Sequence, residues 1–239
     1  MSLLRGLLYR LRTPGFEDVE RAEGAFYRAY LSDGMTAFDV GAHVGNLTTL
    51  FSRLVGRGAV HAFEPAPEAF GALRSALATE RASNVIANPI ALSDRPGPAR
   101  LNCYDGPFQA FTTMANRPLA DYGVDAGPAR PVDVEATTLD AYCRAKGVGR
   151  IDLLKIDVEG AELQVLRGAR EMLAAKRIGC VAFEFGQTTF DMGNRPGEIA
   201  DLFREQGYRL SNLVRGAPLF PGGRSAKTAR FAMHLAMPI

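Results

Sequence analysis

Short apolar runs and amphipathic segments follow one another along most of this chain. The runs have the length and flanking turns of buried strands, and the segments between them show the 3.6-residue period of helices. Because strands and helices alternate, we predict an α/β fold with a doubly wound, mostly parallel sheet. The predicted strands lie at 36–40, 59–63, 84–94, 150–160 and 178–186, and the predicted helices at 47–55, 67–80, 137–143, 161–175 and 196–206.

The last part of the chain predicts a different strand arrangement. Residues 207–210 lead into a strand, and residues 230–237 alternate well enough to form another, so we expect an antiparallel pair at the sheet edge. With 239 residues, the chain suits a single domain. We divide that domain into an N-terminal helical extension (1–34), a core (35–215) and a C-terminal edge strand (216–239).

Residues 96–131 interrupt the regular pattern of the core. Prolines and glycines are frequent there and the aromatic side chains show no period, which predicts an inserted hairpin and loop region. Loops on a rigid scaffold often form the substrate side of a site, although an irregular surface segment is the default expectation. The polar side chains that could contact an acceptor are Gln109, Thr112, Thr113 and Asn116.

Residues 1–12 show a basic amphipathic pattern of leucines and arginines. Such a helix lies either on an anionic membrane surface or against its own domain or a second subunit. We favour packing, and with it a possible homo-oligomer, because one short helix with a few arginines binds membranes only marginally. Together with a predicted helix at 16–31, this extension is also a candidate cover for a ligand site.

Composition narrows the classes of function. The net charge is only +2 and no dense block of lysine and arginine is interleaved with aromatic residues, so no nucleic-acid partner is expected. Cys103, Cys143 and Cys180 lack metal-ligand spacing, which predicts reduced, mostly buried thiols. No run is apolar and long enough to span a bilayer, and no secretory cleavage site follows the N-terminus, so we expect a cytoplasmic protein.

The first predicted strand ends in a glycine turn that opens directly into a helix. The turn has the form Asp39-x-Gly41-x-x-x-Gly45, whose glycines let the backbone approach a ligand while the helix start supplies free N–H groups. It is not the dinucleotide motif G-x-G-x-x-G, and a carboxylate at Asp39 would repel a pyrophosphate. S-adenosylmethionine has no phosphate and carries an ammonium group that Asp39 could pair with. A helix cap is the alternative role for Asp39.

A second acid, Glu64, ends the next strand about 20 residues further on, where Rossmann-type folds place the partner of two ribose hydroxyls. Taken alone, Glu64 could be an ordinary turn residue before Pro65. Together with Asp39 it favours S-adenosylmethionine over NAD. Ala91 and Ser93 lie at the end of the third predicted strand, where an adenine ring could lie, and a plain turn explains Ser93 equally well.

Charged residues alternate with apolar ones at the end of the fourth strand. Lys155 and Asp157 point to one side of that strand, and charges are costly inside a sheet unless they are paired or functional. For methyl transfer, Asp157 is the candidate base or orienter of the acceptor and Lys155 would hold it, with Glu159 and Glu184 as second-rank candidates. The alternative is an ion-paired network that only fixes the loop. Two carboxylates on adjacent strand ends are too few to predict a metal.

Four motifs in this chain resemble those of FkbM-type S-adenosylmethionine-dependent methyltransferases. They are Phe38-Asp39-Val40-Gly41-Ala42-His43-Val44-Gly45, Phe63-Glu64-Pro65, Asn88 with Ala91-Leu92, and Leu154-Lys155-Ile156-Asp157-Val158-Glu159-Gly160-Ala161-Glu162. The lysine-led block is the most specific of them. The resemblance implies a Rossmann-like class I methyltransferase fold and O-methylation of a hydroxyl, often on a sugar, a glycan or a natural-product scaffold. The chain has His43 where the family's loop commonly has Asn or Asp.

Two other functions stay open. One is an NAD-dependent oxidoreductase on the same fold, against which the missing G-x-G-x-x-G argues. The other is a non-catalytic, methyltransferase-like binding module, since a nucleotide can bind without turnover. For a methyltransferase with a small-molecule or glycan acceptor, the predicted cofactor-binding residues are Asp39, Gly41, Ala42, His43, Gly45, Asn46, Glu64, Pro65, Ala91, Ser93 and Asp157, and the predicted catalytic residues are Asp157, Lys155 and Glu184.

Overall fold

A computed structural model describes residues 14–239 of the chain. The amphipathic segment predicted at 1–12 lies outside the described residues. The strands are β1 Thr36–Val40, β2 Ala59–Phe63, β3 Val85–Asn88, β4 Ala91–Leu92, β5 Gly97–Cys103, β6 Arg130–Thr137, β7 Ile151–Ile156, β8 Ile178–Phe185, β9 Tyr208–Asn212 and β10 Ala232–Pro238. Seven of them form a central sheet in the order β3-β2-β1-β7-β8-β10-β9, and the other three form a small sheet in the order β4-β6-β5.

The central sheet is mostly parallel, as predicted. Its first five strands in spatial order pair in parallel, and β10 runs antiparallel to both β8 and β9. The antiparallel edge is therefore confirmed. The expectation that residues 216–239 form the edge strand itself is wrong, because β10 lies between β8 and β9. The run from Ala232 to Ala236 is buried throughout, which suits an interior strand.

The helices are α1 Phe16–Tyr30, α2 Asn46–Val55, α3 Pro67–Glu80, α4 Leu139–Lys146, α5 Glu162–Arg167, α6 Arg170–Ala174, α7 Gln187–Asp191 and α8 Pro196–Glu205, with 3₁₀ turns at Gly106–Phe111 and Leu119–Tyr122. Two predicted elements are divided. The helix expected at 161–175 breaks at Gly168, where a Cβ would lie 2.1 Å from the carbonyl oxygen of Ser93. The strand expected at 84–94 breaks at Pro89, because proline has no N–H to donate to a strand ladder. The second half of the expected strand joins the small sheet as β4.

The two faces of the central sheet differ in character because alternate residues of each strand point to opposite sides. The apolar face carries large side chains and is covered by α4, α5, α6 and α8, whereas the charged face carries ionisable groups among apolar residues and is covered by α1 and α2. The apolar face consists of Phe38, Val40, Leu154, Ile156, Val181 and Phe183, and the charged face of Ala37, Asp39, Leu153, Lys155, Cys180, Ala182 and Glu184.

The inserted region is built on the small sheet. Strands β5 and β6 pair antiparallel, so the predicted hairpin is present, but its second strand continues past 131 to Thr137. Alternating Val132 and Val134 pack there with Leu101 of β5. Both 3₁₀ turns lie in the loop between β5 and β6. Over residues 14–239, no helix has the length and apolar character that a membrane span requires.

Candidate active site

A buried lysine joins β1 and β7 on the charged face. Lys155 is 3% exposed, and its Nζ lies 3.2 Å from Asp39 Oδ1 and 3.5 Å from Asp157 Oδ2. The same Nζ donates a hydrogen bond to the carbonyl oxygen of Gly41 at 3.1 Å. Burial opposes the charged form, but the two carboxylates raise the pKa of Lys155 above its usual value. The lysine is therefore a fixed positive charge at the strand ends.

Asp39 contacts both α2 and the buried lysine. It is fully buried, its Oδ2 accepts a hydrogen bond from Thr48 Oγ1 of α2 at 2.5 Å, and its Oδ1 faces Lys155. Asp39 does not line the cavity described below. Its carboxylate contacts the lysine and the first turn of α2, and a cofactor contact from Asp39 stays a prediction.

The glycine turn brings the backbone of β1 against the backbone that follows β7. Gly41 has φ +80°, and a Cβ there would lie 1.8 Å from the carbonyl oxygen of Asp157. Gly45 has φ +93°, and its Cβ would meet a methyl group of Leu73 at 2.7 Å. At Gly41 both the space and the left-handed conformation oppose a side chain, whereas at Gly45 the conformation does so alone, because the end of the Leu73 side chain can move. The turn is thus shaped by close approach to other parts of the protein, and its approach to a ligand stays a prediction.

Glu64 ties the glycine turn to the start of α3. Its Oε2 accepts a hydrogen bond from the backbone N–H of His43 and its Oε1 from that of Ala66, both at 2.8 Å. Burial raises the pKa of Glu64, and the two N–H groups oppose that rise by stabilising the carboxylate. Each oxygen keeps a further lone pair for another donor.

A cavity opens where these strands end. Of the residues predicted to bind a cofactor, those in its wall are Gly41, His43, Glu64, Pro65, Ala91 and Asp157, and those outside the wall are Asp39, Ala42, Gly45, Asn46 and Ser93. The predicted catalytic residues Lys155 and Glu184 are also outside it. Ser93 instead borders a second cavity along residues 93–100.

The inserted region closes one side of the same cavity. Gln109, Thr112 and Thr113 are in its wall, as the acceptor hypothesis expects, whereas Asn116 is not. Apolar residues that the sequence analysis did not single out complete the lining, among them Phe63, Ala69, Ile90, Leu101 and Met114. In the sequence, Phe63, Ala69 and Ile90 are part of the ordinary core periodicity, whereas Leu101 and Met114 lie in the irregular segment 96–131.

Three carboxylates meet beside the cavity. Oxygens of Asp157, Glu159 and Glu184 all lie within 4.8 Å of one another, a donor set that could hold a metal ion. Burial, followed by the charges of Glu159 and Asp157, raises the pKa of Glu184 well above its usual value. The protonated form of Glu184 is therefore favoured, and its hydrogen bond with Asp157 lowers the pKa of Asp157. The prediction of no metal stays a prediction.

His43 stands in the left-handed conformation, with φ +47°, at the same edge of the sheet. Its Nε2 is buried and has no hydrogen-bond partner among the residues that the structure describes. Burial lowers the pKa of His43, although the charge of Asp157 opposes that effect, so the ring is neutral near pH 7. The cavity wall thus contains a neutral imidazole with an unsatisfied nitrogen.

A buried arginine fastens the inserted region to the loop after β7. Arg117 forms ion pairs with Glu159 at 3.1 Å and with Asp191 at 3.3 Å, and its side chain is 7% exposed. Thr113 Oγ1 donates to the carbonyl oxygen of Glu159 at 2.6 Å, and the Tyr122 hydroxyl donates to Asp191. The sequence analysis did not predict these contacts, because Arg117 lies in a segment without periodicity.

Comparison with known proteins identifies relatives of the chain. A family model described as "Methyltransferase FkbM domain" matches residues 39–210. The chain is 30% identical over 213 residues to 31-O-demethyl-FK506 methyltransferase FkbM of Streptomyces tacrolimicus, covering 80% of this chain and 78% of that protein. It is 28% identical over 146 residues to 2-O-methyltransferase NoeI of Sinorhizobium fredii, covering 58% of this chain and 59% of that protein.

Solved structures resemble the fold. A Streptococcus mutans protein described as a methyltransferase, in complex with SAH, superposes with a TM-score of 0.50 at 14% identity, covering 92% of this chain and 98% of that one. The METTL16 MTase domain superposes with a TM-score of 0.52 at 10% identity, covering 95% of this chain and 70% of that one. These likenesses support the Rossmann-like class I methyltransferase fold. Because the family model spans the glycine turn, Glu64 and the lysine-led block, the chain belongs to the FkbM methyltransferase family.

Proposed function

We propose that this chain is an S-adenosylmethionine-dependent O-methyltransferase that acts on a hydroxyl group of a sugar, a glycan or a natural-product small molecule. The observation that carries the proposal is the cavity that the glycine turn, Glu64 and Asp157 line together. The printed names of two relatives, a 31-O-demethyl-FK506 methyltransferase and a 2-O-methyltransferase, support the choice of an oxygen acceptor.

The residues of the cavity fit S-adenosylmethionine better than a dinucleotide. Glu64 has free lone pairs for ribose hydroxyls, and apolar Phe63 and Ile90 offer a surface for adenine. None of the described residues in the wall is a lysine or an arginine, while Asp157 and Glu159 are both present. A pyrophosphate would meet carboxylates there without a compensating cation.

When bound, the cofactor supplies a methyl group that its positive sulfur already activates, so the protein must position the acceptor oxygen in line and receive its proton. Asp157 suits both tasks, since its side chain is 39% exposed and lines the cavity. With the cofactor bound to supply the methyl group, Asp157 would orient the acceptor hydroxyl and receive its proton.

The neighbours of Asp157 set its protonation state. Burial alone would raise the pKa of Asp157, but the charge of Lys155 and the hydrogen bond from Glu184 outweigh that effect and lower it. Asp157 is therefore ionised at neutral pH and accepts a hydrogen bond from the acceptor hydroxyl. A low pKa makes a weak base, so orientation of the acceptor is the larger part of its role. Lys155 and Glu184 hold the carboxylate in place.

Calorimetric titration with S-adenosylmethionine, S-adenosylhomocysteine and NAD tests the cofactor. We expect the first two to bind, Glu64→Ala to weaken both by about tenfold or more, and Glu80→Ala, an exposed acid at the end of α3, to change neither. Binding of NAD alone would overturn the proposal. Binding of no ligand would favour the non-catalytic module.

Transfer of a labelled methyl group to a panel of hydroxylated sugars and metabolites tests the reaction. With an acceptor in hand, Asp157→Asn should reduce turnover by about 10²- to 10⁴-fold while cofactor binding changes little. Turnover close to the wild-type rate in that variant would contradict the role given to Asp157.

Two further expectations belong to this proposal. Cys103, Cys143 and Cys180 are all buried and unpaired, as predicted, which supports a reducing, cytoplasmic location. A small acceptor without nucleic acid, and a possible homo-oligomer, remain predictions. Size-exclusion chromatography with light scattering measures the oligomeric state.

A further inference from the structure

Asn88 belongs to one of the four sequence motifs, but the proposed function gives it no role. It ends β3, is 8% exposed and does not line the cavity. Its side-chain nitrogen donates two hydrogen bonds, to the carbonyl oxygens of Ala62 and Ile86, both at 3.0 Å. Both N–H bonds of the amide group are thus used, so the amide oxygen is left to accept a hydrogen bond from another group.

Helix α4 supplies the donor for that oxygen. The hydroxyl of Tyr142, a residue that is 5% exposed, donates to Asn88 Oδ1 at 3.2 Å. His61 Nδ1 lies 2.8 Å from the same hydroxyl oxygen. Because the hydroxyl has a single proton and gives it to Asn88, His61 must be the donor in its own contact with Tyr142. The three buried side chains therefore form a relay of hydrogen bonds directed from His61 through Tyr142 to Asn88.

The relay reaches the cavity wall at Glu64. The backbone N–H of Glu64 donates to the carbonyl oxygen of Asn88 at 3.1 Å, and Glu64 lines the cavity. Phe63, which is also in the wall, packs edge-on against the ring of Tyr142, with 4.7 Å between the ring centroids. Tyr142 itself does not line the cavity. A change at its hydroxyl can therefore affect Glu64 without removing a contact with a ligand.

The strand ends at which Glu64 and Asn88 meet need support from side chains. Pro65 and Pro89 come directly after them in the sequence, and neither proline has an N–H to extend the ladder between β2 and β3. Beyond that ladder, the hydrogen bonds of the Asn88 amide group hold the end of β3 against β2. A buried polar network whose groups are all paired favours one arrangement of the residues it joins.

We infer that Tyr142 is a positioning residue of the cofactor site, which acts through Asn88 to fix Glu64 where its carboxylate can accept hydrogen bonds from ribose hydroxyls. This inference rests on the proposed function, in which Glu64 binds the ribose of the cofactor. It gives a role to Asn88 and to helix α4, neither of which is part of the cavity wall.

Calorimetry with S-adenosylhomocysteine and 5′-methylthioadenosine tests the inference, because both probes contain the ribose and only the first contains the amino acid. Tyr142→Phe keeps the ring and removes the hydroxyl, so the fold should be retained. We expect both affinities to fall by about fivefold, as for the loss of one ordinary hydrogen bond. Unchanged affinities would leave Tyr142 a structural role and overturn the inference. Weaker binding of S-adenosylhomocysteine alone would also overturn it, because the effect would then not involve the ribose.

Tyr208→Phe is the matched control. Tyr208 is a buried tyrosine of the same apolar core, its hydroxyl donates to the carbonyl oxygen of Ile178 at 2.8 Å, and neither residue lines the cavity. Urea denaturation should show a loss of stability for both tyrosine variants. The affinities of Tyr208→Phe for the two probes should stay unchanged. An equal loss of affinity in this control would show that reduced stability, and not positioning, weakens binding, and would overturn the inference.

A double variant tests whether the effect passes through Glu64. Glu64→Ala removes the carboxylate that Tyr142 is inferred to position, so adding Tyr142→Phe should lower either affinity by less than about twofold more. A further fivefold loss would mean that Tyr142 acts elsewhere and would overturn the inference. Failure of the wild-type protein to bind either probe would overturn the proposed function, and with it the premise of this inference.

Discussion

The two faces of the central sheet use the same strands for different purposes. On β1, β7 and β8, Phe38, Leu154 and Phe183 point into a continuous apolar core, while their neighbours Asp39, Lys155 and Glu184 point to the opposite side. The period of two that defines a strand thus places packing and charge one residue apart. A single strand can therefore anchor the fold and carry the chemistry.

The energetic rules on the two faces also differ. Each large side chain on the apolar face contributes about 1.5–3 kcal/mol through removal of its surface from water. On the charged face, Lys155 and Asp39 are dehydrated as fully, and they contribute only as a pair. Substitutions on the first face should change stability alone, and those on the second should change stability and function together.

Lys155→Met should have the largest effect on stability. It leaves Asp39 buried without its cation, so we expect a loss of about 3–5 kcal/mol in the free energy of unfolding, measured by urea denaturation. Adding Asp39→Asn should restore part of the lost stability, because the unpaired buried carboxylate is then removed. A double variant less stable than Lys155→Met would show that the pair is not the source of the effect.

Leu154→Ala makes the matching change on the apolar face, one residue away. It should cost about 3 kcal/mol through the cavity that it leaves, also measured by urea denaturation. The affinity for S-adenosylmethionine should stay within about twofold. A large change in affinity would mean that the two faces are not independent.

Gly41→Ala tests the turn in which the charged face ends. A Cβ there would lie 1.8 Å from the carbonyl oxygen of Asp157, in a left-handed conformation, so strain of about 1–3 kcal/mol is expected. We expect this to appear in calorimetry as a loss of cofactor affinity of up to about 100-fold. Gly71→Ala in α3, whose Cβ meets nothing within 4 Å, is the matched control and should leave affinity unchanged.

His61 provides the smallest and most specific test, because it is a titratable group packed on the apolar side. Its ring lies 4.6 Å from that of Phe38, and its Nδ1 lies 2.8 Å from the Tyr142 hydroxyl. Burial, with a smaller effect from the charge of Lys146, lowers the pKa of His61 to about 4 from an ordinary value of 6.5.

A lowered histidine pKa stabilises the fold above pH 6.5, and that stability is lost as the pH falls from 6.5 towards 4. We expect His61 to account for about 2 kcal/mol of the stability lost between pH 7 and pH 5. Denaturation of His61→Phe across this range should show a shallower pH dependence. An unchanged slope would assign the loss to other groups.

Much of the site could be predicted from the sequence because its signals are local. The glycine turn, Glu64 and the lysine-led block each lie at the end of an apolar run, and parallel strands bring those ends to one edge. The contact of Asp39 could not be predicted in the same way. The pattern gives its strand and position, but which cation faces it depends on the register between β1 and β7, which pairs Asp39 with Lys155.

The parts that were missed depend on contacts between distant segments. Arg117 finds Glu159 and Asp191 from within an irregular loop, so no period in the sequence indicates that it is buried. The position of β10 likewise depends on which edge is free when it pairs, and its alternation indicates only that it is a strand.

The position of β10 has a consequence for synthesis of the chain. Strands β8 and β9 do not pair directly, and β10, which fills the space between them, begins about 20 residues after β9 ends. At about 5–20 residues per second, a ribosome needs on the order of 1–5 seconds to make the chain from β9 through β10. During that interval β8 presents an open edge to other nascent chains. A chaperone that covers such edges should therefore raise the yield of folded protein most when translation is slowed between β9 and the end of β10.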